Sequence, residues 1–302
     1  MARKFVRWIV AALAVLIGVI VVAVAAVYII SSARLGRTYA ITPPAVTIPT
    51  DAANVERGQH LVTAHVKCVD CHGDNLGGKI FIDAPPFLII GPNLTDGQGG
   101  IKASLRDEDW IRAVRHGVGR DGRALLFMPT EEYIHLTERD LGDIIAYVKS
   151  VPPVDNTQAR SHLRPLGRVL LVAGQLPPPA AATIDHAAPF PTPIPEGVTV
   201  EYGRYLATIG GCVGCHGPGL SGGRIPGVPP DFPPASNITP SGAIGQWSEA
   251  DFFRVLREGK RPNGVDVNPL MPWMATAKLT DDEIRALWTF LRSVPSKPFG
   301  NR

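Results

Sequence analysis

Only four cysteines occur in 302 residues, at positions 68, 71, 212 and 215. All four lie in two Cys-x-x-Cys-His strings, so no spare thiol remains to act as a nucleophile or as a further metal ligand. Methionine is equally scarce: Met1, Met128, Met271 and Met274 are all of them. Blocks of basic charge are missing too. The net charge is +3, and Arg3, Lys4 and Arg7 all precede the first apolar run. A polyanion-binding surface needs clustered Lys and Arg, so nucleic acid is excluded as a partner. Strand-like alternation is rare, whereas 29 Pro and 31 Gly make up about a fifth of the chain. That composition predicts long irregular segments and helices, an all-α chain without a sheet.

From Trp8 to Ile30 there is no charge. A helix over that run would measure roughly 34 Å, against an apolar bilayer core of about 30 Å. Arg3, Lys4 and Arg7 before it predict a cytoplasmic N-terminus, with everything after about Ser31 on the outer side of the cytoplasmic membrane. Trp8 and Tyr28 sit where interfacial aromatics belong. The competing reading is a cleaved signal peptide. Its apolar stretch would be shorter, although Ala23-Val24-Ala25 imitates a cleavage site.

The rest of the chain is duplicated at an offset near 144 residues. Glu56-Arg57-Gly58-Gln59-His60-Leu61 answers to Glu201-Tyr202-Gly203-Arg204-Tyr205-Leu206. Asn93-Leu94-Thr95 matches Asn237-Ile238-Thr239, Met128-Pro129 matches Met271-Pro272, and Ser150-Val151-Pro152 matches Ser293-Val294-Pro295. The expected organisation is a stub and anchor (1–34), a tether (35–51), a first domain (52–153), a Pro-rich linker (154–196) and a second domain (197–302). Ten prolines between 152 and 196 favour extended linker backbone. Pro165 to Leu176 predicts one helix there, with Leu166, Val169, Leu170, Leu171 and Val172 needing burial. Within the copies, Ser104 and Ser248 read as N-caps of helices that end at Gly117 and Gly259. Thr137 and Thr280 cap the last helices.

In Cys-x-x-Cys-His, two thiols one helical turn apart match the spacing of the haem vinyl groups. The adjacent histidine then reaches the iron from the same side, so the string reads as c-type haem attachment. Cys68, Cys71 and His72 form one such motif, and Cys212, Cys215 and His216 the other. Two covalently attached haems c follow. Zinc needs its four ligands in one place, but the two Cys pairs fall in separate copies. A thioredoxin-like motif needs a βαβ pattern, which is absent. For the sixth iron ligand, Met128 stands 56 residues after His72 and Met271 stands 55 after His216. Each is followed by Pro and precedes its Thr cap by nine positions. The axial pairs are then His72 with Met128 and His216 with Met271. A thioether ligand favours Fe(II) and raises the potential. Met274 has no counterpart and reads as packing or a reserve ligand.

These strings, with Gly203-Arg204-Tyr205-Leu206, Asn237-Ile238-Thr239-Pro240 and Gly245-Gln246-Trp247-Ser248, resemble class I cytochrome c domains in tandem. The resemblance extends to cytochrome c subunits of membrane-bound periplasmic alcohol and aldehyde dehydrogenases and to related dihaem cytochromes. The chain differs from those subunits in having two haem motifs where three are common, and an N-terminal rather than C-terminal anchor. The resemblance implies that first and last helices of each domain cross closely, with Gly58 and Gly203 against Tyr147 and Phe290.

Of the remaining candidates, His60 and His65 read as solvent-exposed, and His116 as a cation at a helix end. His135 could compete as an iron ligand. Trp247, Asn93 and Asn237 could meet haem propionates, or simply pack and cap turns. The expected function is one-electron relay on the outer face of the membrane, with no catalytic residue. Electrons would pass from a dehydrogenase or quinol-oxidising complex to an oxidase or soluble carrier. Alternatives are an electron-accepting subunit of a periplasmic dehydrogenase and a dihaem peroxidase-type enzyme; the latter needs a vacated iron site.

Overall fold

The uncharged N-terminal run forms one long helix, α1 (Ala2–Leu35), in a computed structural model that describes residues 2–228 and 231–301. Large apolar side chains along it, among them Trp8, Ile17, Val22 and Ile29, stand exposed. Among the described residues it is the one helix long and apolar enough to cross a membrane. Its C-terminal end is held by α7 (Pro165–Val172) from the linker. Arg34 donates to the Leu171 carbonyl at 2.9 Å, and Arg168 donates to Ser31 Oγ at 2.9 Å. Proline does occupy the first position of α7, but the predicted burial fails in part. Leu171 is buried, while Leu166 and Val169 are 47% and 48% exposed.

The first copy contains α2 (Ala52–His60), a π turn over Leu61–His65, α3 (Cys68–His72), α4 (Asp107–His116), α5 (Thr130–Tyr133) and α6 (Glu138–Ser150). The second contains α8 (Val200–Ile209), α9 (Cys212–His216), α10 (Glu249–Glu258), α11 (Trp273–Thr276) and α12 (Asp281–Ser293). Thr137 and Thr280 cap α6 and α12 by accepting from the amides three residues on, and Ser248 caps α10 likewise. Gly117 and Gly259 close α4 and α10 in the left-handed conformation. The α4 start differs from expectation. Ser104 ends a 3₁₀ turn instead, and Arg106 is the cap residue, its amide donating to Asp109 Oδ2 at 2.9 Å.

First and last helices of each copy cross at glycine. A β-carbon on Gly58 would lie 2.0 Å from the Asp143 carbonyl oxygen, and one on Gly203 would lie 2.0 Å from that of Ala286. Tyr147 and Phe290 flank these crossings, as the resemblance implied.

The expected absence of a sheet is overturned. Strands β1 (Lys79–Ala84) and β2 (Phe87–Gly91) form an antiparallel hairpin around Pro85-Pro86, with Ile80 opposite Ile90 and Ala84 opposite Phe87. The linker adds β3 (His162–Leu163) along β2. Seven Ile, Leu and Phe residues within so few positions suit a pleated half-buried surface. A chain-wide composition dilutes such a local signal. Among the described residues the second copy has only a bridge between Gly223 and Ala235 at the equivalent place, in a stretch interrupted by Pro226, Pro233 and Pro234. Proline cannot donate to a ladder, which accounts for the difference.

The two copies share one core and meet through a pseudo-two-fold interface. In each direction the short helix after Met-Pro packs on the other copy's first helix or π turn: α5 on α8, α11 on the π turn. Positions 60 and 205 correspond, as do 140 and 283. Tyr205 donates its hydroxyl to Asp140 and accepts from the Thr137 amide at 3.2 Å. Reciprocally, His60 Nε2 lies 2.9 Å from Glu283 Oε2.

Candidate functional site

Each Cys-x-x-Cys-His string forms a single short helix, so its two sulfurs fall on neighbouring turns of one face. Both helices are entered from a left-handed residue, Lys67 (φ 52°) in the first copy and Gly211 (φ 75°) in the second. The lysine at this costly backbone position is fixed by its ammonium, which donates to the carbonyls of His65 and Gly210. Cys68 and Cys212 are partly buried and pack against the shared core. No disulfide joins the four cysteines. Burial pushes Cys68 up to about 12, and Cys71 and Cys212 up to about 11. Thiols held so firmly protonated are the opposite of a thioredoxin-type pair, whose nucleophile needs a lowered pKa.

The histidines are oriented identically. His72 Nδ1 lies 2.9 Å from the Pro92 carbonyl oxygen, and His216 Nδ1 lies 2.7 Å from that of Ser236. Donation from Nδ1 fixes the tautomer and leaves the Nε2 lone pair for a metal, the usual arrangement behind a ligating imidazole. Burial also lowers the His72 pKa, which favours the neutral ring that a metal requires. The supporting carbonyls are placed by the turns that follow them. Asn93 Oδ1 accepts from the Thr95 amide and hydroxyl (2.9 and 2.8 Å), and Asn237 Oδ1 accepts from those of Thr239 (2.9 and 2.7 Å). Their Nδ2 groups donate to the carbonyls of Val154 and Lys297. Both asparagines thus build turns, the simpler of their two predicted roles. Pro92 and Ser236 themselves escaped sequence reasoning, since a backbone carbonyl leaves no signature except the Asn-x-Thr string beside it.

Met128 and Met271 pack, partly buried, against the same core as Cys68 and Cys212. Each heads the same turn. Met128 O accepts from the Thr130 amide at 2.8 Å around Pro129 (φ −78°, ψ 60°), and Met271 O from the Trp273 amide at 2.7 Å around Pro272 (φ −77°, ψ 56°). These are inverse γ-turns, with proline supplying the required φ. Met274 is 64% exposed, so it neither packs nor shares this setting. Trp247 packs partly buried on the core, and His135 is exposed.

Three histidine expectations fail. His65 is 3% exposed and His60 only partly exposed, because both turn inward onto Glu283. His116 is buried, and desolvation takes it down to about 4, so it is neutral rather than a cation at the helix end. Another overlooked group is Glu132 on α5. A β-carbon on Gly211 would meet its Oε1 at 2.6 Å, which sets the carboxylate against the start of the second motif helix. Burial raises Glu132 to about 7, partly offset by Lys67.

Comparison with known proteins fits this twofold pattern. Over 275 residues the chain is 30% identical to a fructose dehydrogenase cytochrome subunit of Gluconobacter japonicus, covering 83% of this chain and 55% of that one. It is 28% identical over 284 residues to an alcohol dehydrogenase (quinone) cytochrome c subunit of Gluconobacter oxydans, covering 83% and 56%. The chain thus spans about half the length of these two relatives. A diheme cytochrome c-type protein of Cereibacter sphaeroides is 27% identical over 242 residues, covering 73% and 75%. The sequence model of the family described as cytochrome C oxidase, cbb3-type, subunit III matches residues 53–148 and again 200–291. Together these segments take in more than half of the chain, which belongs to this cytochrome c family.

Proposed function

We propose that the protein is a membrane-anchored dihaem electron carrier with one His/Met-ligated haem c in each copy. Membership of a cytochrome c family implies covalently bound haem c. In this reading Cys68 and Cys71 hold one haem and Cys212 and Cys215 the other, each through thioether links. His72 with Met128, and His216 with Met271, are the axial ligands. Bound haem supplies a ferric/ferrous couple that takes up and gives back one electron at a time. The protein's part is to hold the imidazole in one tautomer through Pro92 or Ser236 and to present a thioether from a rigid proline turn. α1 holds the haem domains at the outer face of the cytoplasmic membrane, N-terminus inside. The donors and acceptors are redox proteins: a dehydrogenase or quinol-oxidising complex on one side, an oxidase or soluble cytochrome on the other.

One observation carries the reading: the histidine–carbonyl lock and the Met-Pro turn recur in both copies with the same geometry. A peroxidase-type enzyme needs one copy to differ there, and neither does. The relatives named as dehydrogenase cytochrome subunits favour a second, compatible reading, an electron-accepting subunit of such a complex. The test is a count of covalent haem by mass and haem staining, with absorption spectra of the ferric protein. Two haems should be found, each with a methionine–iron charge-transfer band. Cys68→Ala/Cys71→Ala and Cys212→Ala/Cys215→Ala should each remove one haem. A high-spin haem that turns over peroxide in the unmodified protein overturns the assignment. Recovery of the haem protein in the soluble fraction overturns the anchor.

A further inference from the structure

Where the two copies meet, three side chains converge that neither haem site uses: His60 and His65 from the first copy and Glu283 from the second. His65 Nε2 lies 2.8 Å from Glu283 Oε1, and His60 Nε2 lies 3.0 Å from the same oxygen. All the potential ligand atoms fall within 4.8 Å of one another. The imidazole rings meet edge to face, 5.1 Å between centroids.

The backbone is built to bring the two histidines together. In an α-helix, residues five apart point about 140° away from each other. Here the chain leaves α2 at His60 and enters a π turn, Leu61–His65, closed by the Val66 amide donating to the Leu61 carbonyl at 2.9 Å. The wider turn swings His65 under His60. Single π turns inside helices are uncommon and concentrate at functional sites. The second copy has no such turn, for α8 runs straight through Val200–Ile209. Its counterparts of His60 and His65 are Tyr205 and Ile209, which offer no comparable ligand pair.

The carboxylate is equally prepared. Glu283 Oε2 accepts from the Thr280 amide at 2.7 Å, which leaves Oε1 turned to both imidazoles. Burial alone would raise its pKa, but hydrogen bonds from His60 and His65 hold it well below the ordinary carboxylate range. His65 and Glu283 are buried, whereas the His60 side chain is 32% exposed, so a cation and a fourth, water ligand have a way in.

We propose that His60, His65 and Glu283 form a divalent-metal site, matched to zinc, that clamps the two copies together. Two imidazoles and one carboxylate with an open position form a known zinc donor set. Metal–ligand bonds of about 2.0–2.2 Å imply tetrahedral edges of roughly 3.3 Å. The nitrogen–oxygen edges here therefore need to widen by only a few tenths of an ångström. On binding, each Nε2 gives up its proton, to Nδ1 or to solvent, so uptake weakens as pH falls. The bound ion would join α2 and its π turn to the first turn of α12, fixing the placement of one motif helix against the other.

The experiment uses the haem-loaded full-length protein in detergent, stripped with chelator and titrated with zinc by calorimetry and metal analysis. The expected result is one zinc per chain, with a thermal midpoint that climbs with free zinc. His60→Ala and Glu283→Gln should each weaken binding by about 100-fold or more, beyond the effect of outer-shell changes. Glutamine keeps the size of Glu283 and an acceptor for the Thr280 amide, and His60 is partly exposed, so both variants should fold. Their haem spectra should match the parent, which separates this result from any failure of the haem assignment. Absence of stoichiometric uptake overturns the site and leaves a hydrogen-bonded contact only. Uptake unchanged in both variants does so too, and assigns the zinc to surface histidines such as His135 and His162.

Discussion

The two copies agree where they would hold an iron and differ where they touch something else. Both enter the motif helix from a left-handed residue, lock the histidine on a carbonyl twenty positions later, and set the methionine on a proline γ-turn. Leu76 and Leu220 even share the same left-handed backbone (φ 55° and 57°). Divergence begins outside that frame. The first copy has the hairpin that recruits β3 and the linker, and the Arg57 pair with Asp140 and Asp143. It also has Glu132 against the partner motif, where the second copy has buried Ala275. Duplication has thus kept the geometry around the proposed ligands, while one copy's surface has diverged toward the linker, the segment after α1 and the neighbouring copy.

The largest effect should come from what the copies share. Gly58→Ala and Gly203→Ala each drive a β-carbon to 2.0 Å from a carbonyl oxygen on the opposing helix. A helix backbone cannot yield locally as a side chain can. Each substitution should therefore cost about 3 kcal/mol or more, read as a lowered midpoint in denaturant. Equal losses support equivalent crossings; a loss at one glycine alone breaks the comparison there.

The crossing came from the resemblance to tandem cytochrome c domains, whereas the caps at Thr137, Thr280 and Ser248 and the ends at Gly117 and Gly259 were legible in the sequence. Each depends on contacts within one turn or on a repeated string, and such information is local. The hairpin was missed because a chain-wide scarcity of alternation hid one short stretch rich in Ile and Phe. The inward turn of His60 and His65 was missed because it depends on Glu283, more than two hundred positions away. No local pattern encodes that meeting, and the π turn that aligns the two rings has no sequence signature. At the candidate site, the residue types and spacing pointed to Cys, His and Met. The carbonyls of Pro92 and Ser236 that aim the histidines were invisible, because every residue has one.

Arg57 tests the first divergence. Its guanidinium sits 2.6 Å from Asp140 Oδ1 and 2.7 Å from Asp143 Oδ2, and both carboxylates are buried. The corresponding residue is Tyr202, uncharged. Arg57→Ala leaves two buried carboxylates without their shared cation and should cost about 2 kcal/mol, discounted for the partial exposure of the arginine. Asp143, already raised by burial, should rise further. Stability should then fall with increasing pH across the carboxylate range more steeply than in the parent. A pH series of unfolding midpoints reads this, and an unchanged slope counts against the pairing.

Glu132 should give a smaller and differently shaped effect. Folding raises its carboxyl from the ordinary 4.5 to about 7 through burial. The folded state therefore holds that proton more tightly than the unfolded chain. Stability from this group is full below about pH 4.5, declines as pH rises to about 7, and is flat above it. The decline should amount to on the order of 1 kcal/mol, because solvent reaching the incompletely buried carboxyl softens the full linkage. Glu132→Gln should flatten it, making the first copy resemble the second at this position. A decline that survives the substitution means another group is responsible.

The smallest expected effect is also the sharpest test of the axial assignment, because it sets two neighbouring methionines of one copy against each other. Met271 sits on the proline turn that its counterpart Met128 also occupies; Met274, three residues on, points to solvent at 64% exposure. An exposed side chain in a four-residue helix contributes little, so Met274→Ala should stay within about 0.5 kcal/mol of the parent. It should also leave both methionine–iron charge-transfer bands in place, whereas Met271→Ala should remove one. If Met274→Ala removes the band instead, the second copy has exchanged its ligand. The equivalence of Met128 and Met271, on which the symmetry of the two copies rests, would then hold for the backbone turn and not for the iron.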